Sequence, residues 1–190
     1  QLMPDPTIHS SETGTRHRTA ERVSKQTNAL VIAISARRDV VSIYLDGRKY
    51  ILQDIPTVLS KANQGLATME KYRSRLDRVT ARLTTVEMAG AASLHDVLTV
   101  MQRAELLLRT SNEVERYIIE LGAEGRMIEM QLEETSVGVL SDRVALIRDY
   151  AVDDSEAMLD STLAELSKLS HQELLDLGRL RFRHVDRNMS

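Results

Sequence analysis

From Leu59 to Val86 the apolar side chains recur at spacings of three and four: Leu59, Ala62, Leu66, Met69, Tyr72, Leu76, Val79, Leu83 and Val86. Such a set comes to one side of the chain only in an α-helix, where 3.6 residues complete a turn. The spacing predicts one helix of about 30 residues, roughly 45 Å long at 1.5 Å per residue. Its apolar stripe is narrow, as in a coiled-coil seam or an elongated bundle. The opposite face carries Lys71, Arg73, Arg75, Arg78 and Arg82. That face reads as solvated or inter-subunit before it reads as a DNA contact.

Further helices follow. Gly90 ends the long helix, and Ser93 with Asp96 three residues on caps the next. Its face is Leu94, Val97, Leu98, Met101, Glu105 and Leu108, a stripe that Glu105 makes imperfect. A third helix is expected over 112–121, then a break at Gly122 and Gly125, then helices over 126–134 and from Ser141 to Tyr150. Asp153 and Asp154 belong to a polar connection. Two last helices are expected, one near 161–169 and one capped by Ser170 with Glu173 in capping-box position.

Residues 1 to about 55 follow another rule. Thr19 to Gln26 reads as a short helix. Ala29 to Ile34 is a short apolar, β-branched run, the pattern of a buried strand. Val40 to Leu45 is a second strand, Asp46-Gly47 a hairpin turn in which glycine adopts positive φ cheaply, and Lys49 to Leu52 the returning strand. The expected fold class is therefore α/β followed by all-α: an α/β piece over 1–55 with about three strands, then a helical region over 56–190. So short a piece cannot cover both faces of a sheet, and the chain begins at Gln rather than Met. Both observations are expected of a segment of a longer chain.

Composition narrows the functions open to it. There is no cysteine, so disulfides and thiolate metal sites are excluded, in keeping with a reducing cytoplasm. Aromatic residues make up 3%, with no Trp and one Phe, too few for the stacking platform that single-stranded nucleic acid requires. The longest apolar runs fall far short of the roughly 20 residues that cross a bilayer. The five histidines, His9, His17, His95, His171 and His184, show no metal-ligand spacing.

The net charge of -3 hides a local imbalance. Between Arg16 and Arg38 lie six cations (Arg16, Arg18, Arg22, Lys25, Arg37, Arg38) against one acid, Glu21. A compact basic region suits a compact anion such as a phosphate better than a long polyanion. At its head stands Gly14-Thr15-Arg16-His17-Arg18-Thr19. Guanidinium forks bind phosphate oxygens bidentately, and threonine hydroxyls with glycine-adjacent N–H groups add neutral donors. The cluster reads equally as a solvated basic turn. Ser35, at the carboxyl end of the first strand, stands where ligand-facing groups often sit in open sheets, or simply ends the strand.

Three stretches together carry a resemblance. Gly14 to Arg18, the apolar strand ending in Ser35 and the Asp46-Gly47 hairpin resemble the second half of a diadenylate cyclase domain. IPTVLSKANQGLATMEKYRSRLD (55–77) resembles the start of the helical linker of the DisA family. ELGAEGR (120–126) and QLEE (131–134) resemble later parts of that linker. The resemblance runs over about 1–177 and implies a partial, mixed-sheet cyclase domain followed by a helical spine. The implied chemistry is condensation of two ATP into cyclic di-AMP across a subunit interface, with Mg2+ or Mn2+. Thr15, Arg16, His17, Arg18 and Thr19 would contact phosphates, with Ser35 nearby. The resemblance also implies a homo-octamer of face-to-face cyclase dimers, branched DNA bound by a helix-hairpin-helix domain, and a cytoplasmic, nucleoid-associated setting. Two expected parts have no counterpart here: the metal-binding Asp of the Asp-Gly-Ala motif belongs upstream of residue 1, and the DNA-binding domain belongs beyond the last residue. This chain alone is accordingly expected to be inactive. The competing expectation is a non-catalytic helical oligomerisation module with a vestigial nucleotide pocket.

Overall fold

The structure, a computed structural model, describes residues 3–35, 40–151 and 155–176. The chain divides into two compact units, 1–59 and 60–190.

The first unit contains α1 (Thr15–Thr27), β1 (Val31–Ser35), β2 (Val40–Leu45) and β3 (Arg48–Ile51). The strands form one antiparallel sheet in the order β1-β2-β3. The mixed pairing expected of the cyclase domain has no parallel member among the described residues. The hairpin turn is as expected, with Asp46 at φ 49° and Gly47 at φ 71°. A side chain at Gly47 would also collide with the aliphatic stem of Lys25, 2.6 Å from the position of its Cβ.

Two expectations fail in this unit. The helix begins at Thr15, not Thr19, so the Thr15–Thr19 cluster forms its first turns rather than a loop before it. Asn28 then ends it in the left-handed conformation, φ 52°, which asparagine tolerates better than other non-glycine residues. The first strand is not buried. Its residues alternate between half-buried and exposed, with Ile32 57% and Ile34 66% exposed. The register explains this. Ile32 pairs with Ile43 and Ile43 with Tyr50, so all three share one face. Leu30, Ile34, Val41, Leu45 and Leu52 extend that apolar face by alternation. The opposite face presents buried Ser42 and Tyr44.

The stretch before α1 is fastened along it by polar contacts. Arg22 Nε donates to the Ile8 carbonyl at 2.8 Å, Lys25 Nζ to the His9 carbonyl at 3.0 Å and Arg18 Nε to the Glu12 carbonyl at 3.2 Å. The Asp5 amide donates to Gln26 Oε1 at 3.1 Å.

α2 (Ile55–Met88) is the long helix the repeat predicts. Asp54 caps it, accepting from the Thr57 amide at 3.2 Å. Ala62, Leu66, Met69, Leu76 and Leu83 are buried, while Tyr72, Val79 and Val86 are half-buried. Of the basic face, Lys71, Arg75, Arg78 and Arg82 are exposed as expected. Arg73 is not merely solvated: it donates to the carbonyls of Thr135, 3.3 Å, and Val137, 2.7 Å.

α3 (Leu94–Leu121) begins with the expected Ser93–Asp96 capping box but runs 28 residues without interruption. The separate helix expected over 112–121 is its second half. The polar residues that break the sequence stripe are buried with partners of their own. Glu105, 5% exposed, takes Arg109 at 2.7 Å and Arg143 at 2.6 Å. Gln102 donates to the Leu174 carbonyl at 2.6 Å. A 3-10 turn, Gly122–Gly125, gives the expected break, and α4 (Arg126–Ser136), α5 (Val139–Tyr150), α6 (Glu156–Lys168) and α7 (His171–Leu175) follow. α6 starts about five residues earlier than expected because Ser155 caps it, accepting from the Met158 amide. The Ser170–Glu173 capping box forms as expected. Asp153, Asp154 and everything after Asp176 lie outside the described residues. Among the described residues no helix is long and apolar enough to cross a membrane.

Candidate functional site

The first turn of α1 presents its backbone N–H groups without a side-chain cap. Gly14 occupies the cap position, no cap hydrogen bond forms, and no acid stands in the first turn. Uncapped N–H groups at the positive end of a helix dipole favour an anion.

Helical geometry divides the cluster into two sets. Thr15, Arg16 and Thr19 fall on one side and, with Ala20 and Val23, line an open groove of about 490 Å³ whose other wall is Val31 to Ile34 of β1. His17 and Arg18 are committed elsewhere. His17 Nδ1 lies 3.1 Å from the Tyr44 hydroxyl, and Arg18 holds the Glu12 carbonyl. Arg16 has no side-chain partner among the described residues. Ser35 ends β1, far from the Asn28 turn, as Thr15 begins α1 far from that turn. Both therefore sit at the same end of the unit, although Ser35 does not line the groove. Arg37 and Arg38 lie outside the described residues.

Beneath the motif is a polar network that composition gives no sign of. Tyr44 is fully buried. Its hydroxyl lies 3.1 Å from His17 Nδ1, and the Glu12 carboxylate is among the groups that act on it. Burial, then the Glu12 carboxylate, push the tyrosine well above its ordinary value. The Lys49 ammonium, 2.7 Å from Glu12, holds the Glu12 carboxyl below the usual range. Burial pushes Glu21 upward, but Lys25 at 2.7 Å and the Ser10 hydroxyl at 2.5 Å outweigh it and hold the carboxyl low. Glu12 and Tyr44 are the site neighbours that sequence reasoning missed. The available signal was the strand register, which sets Tyr44 on the inward face.

A cleft of similar size, about 490 Å³, lies between α2, α3 and α5. Two cations on its wall, Arg73 and Arg143, are already engaged by carbonyls and by Glu105, so it lacks a free charge of the kind Arg16 offers. Among the described residues no group of three or more His, Asp or Glu could hold a metal ion.

Comparison with known proteins decides the family. The family described as the DisA bacterial checkpoint controller linker region matches residues 52–182. The chain belongs to the DisA family. A second DisA description, bacterial checkpoint controller nucleotide-binding, matches residues 1–49 and so contains the whole Thr15–Thr19 cluster and Ser35. DNA integrity scanning protein DisA of Symbiobacterium thermophilum is 50% identical over 177 residues, 93% of this chain and 50% of the relative. The protein of that name from Carboxydothermus hydrogenoformans is 51% identical over 176 residues, again 93% and 50%. That of Clostridium perfringens is 50% identical over 177 residues, 93% and 49%. The chain thus spans about half the length of the curated DisA relatives it matches. The linker match runs to residue 182, five residues past the end of the resemblance read from the sequence.

Proposed function

We propose that this DisA-family chain supplies the phosphate-holding half of a diadenylate cyclase, which joins two ATP into cyclic di-AMP and releases two pyrophosphates. The observation that carries this reading is Arg16. Among the described residues it is an unengaged guanidinium on the same groove as Thr15 and Thr19, at an uncapped helix N-terminus. The nucleotide-binding family match over 1–49 supports it. Arg16 would fork onto phosphate oxygens, the threonine hydroxyls and first-turn N–H groups would take the remaining ones, and Ser35 would approach from the strand end. Arg18 would contribute mainly by fixing the segment that holds Glu12, and His17 through its free ring nitrogen.

In the reaction each ribose 3′-hydroxyl attacks the α-phosphate of the other nucleotide, with pyrophosphate leaving. The contribution of these residues is to orient the triphosphate and neutralise its charge, which is most of what phosphoryl and nucleotidyl transfers demand of a protein. The reaction needs two such sites facing each other, and we place this chain in a homo-oligomer of face-to-face cyclase dimers, an octamer by family pattern. The name of the relatives, DNA integrity scanning protein, supports coupling to DNA integrity checking, through a DNA-binding region outside this chain. A cytoplasmic, nucleoid-associated setting fits that role. Mg2+ or Mn2+ would be held by residues outside the described set, which offers no metal cluster.

The test is cyclic di-AMP formation from ATP by the protein expressed from its complete coding sequence. Arg16→Ala should lower nucleotide affinity about tenfold, the loss expected for one charge-assisted contact. A folded protein that makes no cyclic di-AMP, or unchanged affinity in the variant, overturns the reading.

A further inference from the structure

α4 buries Ile128 and Leu132, and the side directly opposite them is Met130. Met130, Met127 beside it and Val137 just past the helix end are each more than half exposed. Arg126 and Glu134 stand four residues before and after Met130 in the same row, with Glu133 at its edge. These three charged residues are exposed, and their side chains have no hydrogen bond or ion pair among the described residues. Their charges also oppose the helix that carries them. Arg126 is the first residue, at the positive end of the helix dipole, and Gly125 before it gives no side-chain cap. Glu133 and Glu134 lie towards the negative end, where the last turn has no basic residue. Of the charged residues on α4, only Glu129 in the first turn stands where the dipole favours it.

A second copy of α4 laid antiparallel on this face reverses both mismatches. A two-fold axis through Met130 sets that residue on its own copy. Because 126 and 134 are equally far from 130, the same axis brings Arg126 beside Glu133 and Glu134 of the partner subunit, and the reciprocal contact follows by symmetry. We propose that the exposed face of α4 is a self-association surface, on which the helical units of two copies of this chain pair antiparallel about Met130. Methionine suits such a contact, since its unbranched thioether packs without demanding one shape. Parallel pairing sets Arg126 on Arg126 and Glu134 on Glu134, so charge selects the antiparallel sense. A face of three turns is too small to hold two chains together by itself. The contact therefore works inside an assembly that other surfaces also hold. It lies wholly in the helical unit and draws nothing from the nucleotide reading.

Disulfide trapping in the protein expressed from its complete coding sequence tests the geometry. The 190 residues contain no cysteine, so an introduced one has no competitor among them. Packed helices hold residues on the axis within about 4–6 Å at Cα, the reach of a disulfide. Met127 and its copy are separated by about 9 Å along the helices and lie out of reach. Met130→Cys should link two copies on mild oxidation, and Met127→Cys and Val137→Cys should not. Met130 is exposed, so its replacement leaves the core intact. Adding Arg126→Glu to Met130→Cys should cut the linked fraction about tenfold, because like charges then face each other. That change suits the helix dipole, so α4 should stay folded, with an unchanged thermal midpoint. Co-expression with a tagged chain carrying Met130→Cys, Glu133→Arg and Glu134→Arg should restore the link, now between the two unlike chains. No link at Met130→Cys, or equal links at all three positions, overturns the proposal. A linked fraction indifferent to Arg126→Glu, or unlike chains that do not link, overturns it as well. Cyclic di-AMP formation is not read in this experiment, so the cyclase reading can fail separately.

Discussion

The two units use arginine differently, and the difference separates structure from function. In the helical unit Arg73, Arg109 and Arg143 each close a structural gap, while half-buried Arg103 has no polar partner among the described residues. Arg109 donates to the Leu166 and Leu169 carbonyls at 2.7 Å each, where α6 runs out of partners. Arg73 does the same past the end of α4, and Arg143 joins Arg109 on Glu105. In the α/β unit Arg18 and Arg22 are likewise taken up by carbonyls, but Arg16 is held by nothing described. One residue type therefore serves as a fastener where an orphan carbonyl or carboxylate is within reach; where none is, it is left free, and at Arg16 a groove and a helix N-terminus stand beside it. Buried charges must be matched. A charge left unmatched beside a groove and an uncapped helix end is available to something else.

The largest effect should come from unbalancing a fastener. Glu105→Ala strands two partly buried guanidiniums and should cost about 3–5 kcal/mol, read as a fall in thermal midpoint on the order of 10 °C. If the midpoint barely moves, the helical arginines are not structural and the contrast collapses. Next is the contact of α2 with α3. A Cβ on Gly65 would stand 2.4 Å from Val114 Cγ2, so Gly65→Ala should destabilise by about 1–3 kcal/mol. Val114→Ala in the same chain should recover part of that, and no recovery would place the strain elsewhere. Arg16→Ala should weaken ATP binding about tenfold with no change in midpoint. Arg18→Ala should do the reverse, costing about 0.5–1 kcal/mol of stability for its lost carbonyl contact with little change in affinity. Equal behaviour of the two would erase the distinction between fastener and free cation.

The smallest effect is with pH. Glu12 and Glu21 have folded values below the ordinary 4.5. Their contribution is complete above that value and is lost as pH falls through the lower folded value. Melting curves between pH 6 and 3 should show the α/β unit losing stability below about pH 4.5, less so in Glu21→Gln. A Glu21→Gln profile as steep as that of the unmodified chain would remove Glu21 from the account.

Sequence alone disclosed what depends on near neighbours. The α2 stripe, the Asp46-Gly47 turn and the capping boxes at Ser93 and Ser170 are each settled within a few residues. The stripe of α3 reads as imperfect because Glu105 interrupts it. The partner that makes this tolerable, Arg143, is 38 residues away, and the acceptor for Gln102 is 72 away. The same limit applied to the site. The kinds of side chain were plain in Thr15 to Thr19, and so was their preference for an anion. Which arginine stays unengaged depends on the carbonyls of 8–12 lying along α1. That His17 answers to Tyr44 depends on strand register.

The apolar sheet face of the first unit has a practical consequence. Leu30, Ile32, Ile34, Tyr50 and Leu52 are each more than two-fifths exposed, and β1 beside them is an edge strand with no outer neighbour among the described residues. A surface this greasy next to bare backbone invites like molecules to clump. Anyone preparing the first sixty residues by themselves should expect a cloudy tube, and a lysine in place of Ile32 or Ile34 is the simplest way to clear it.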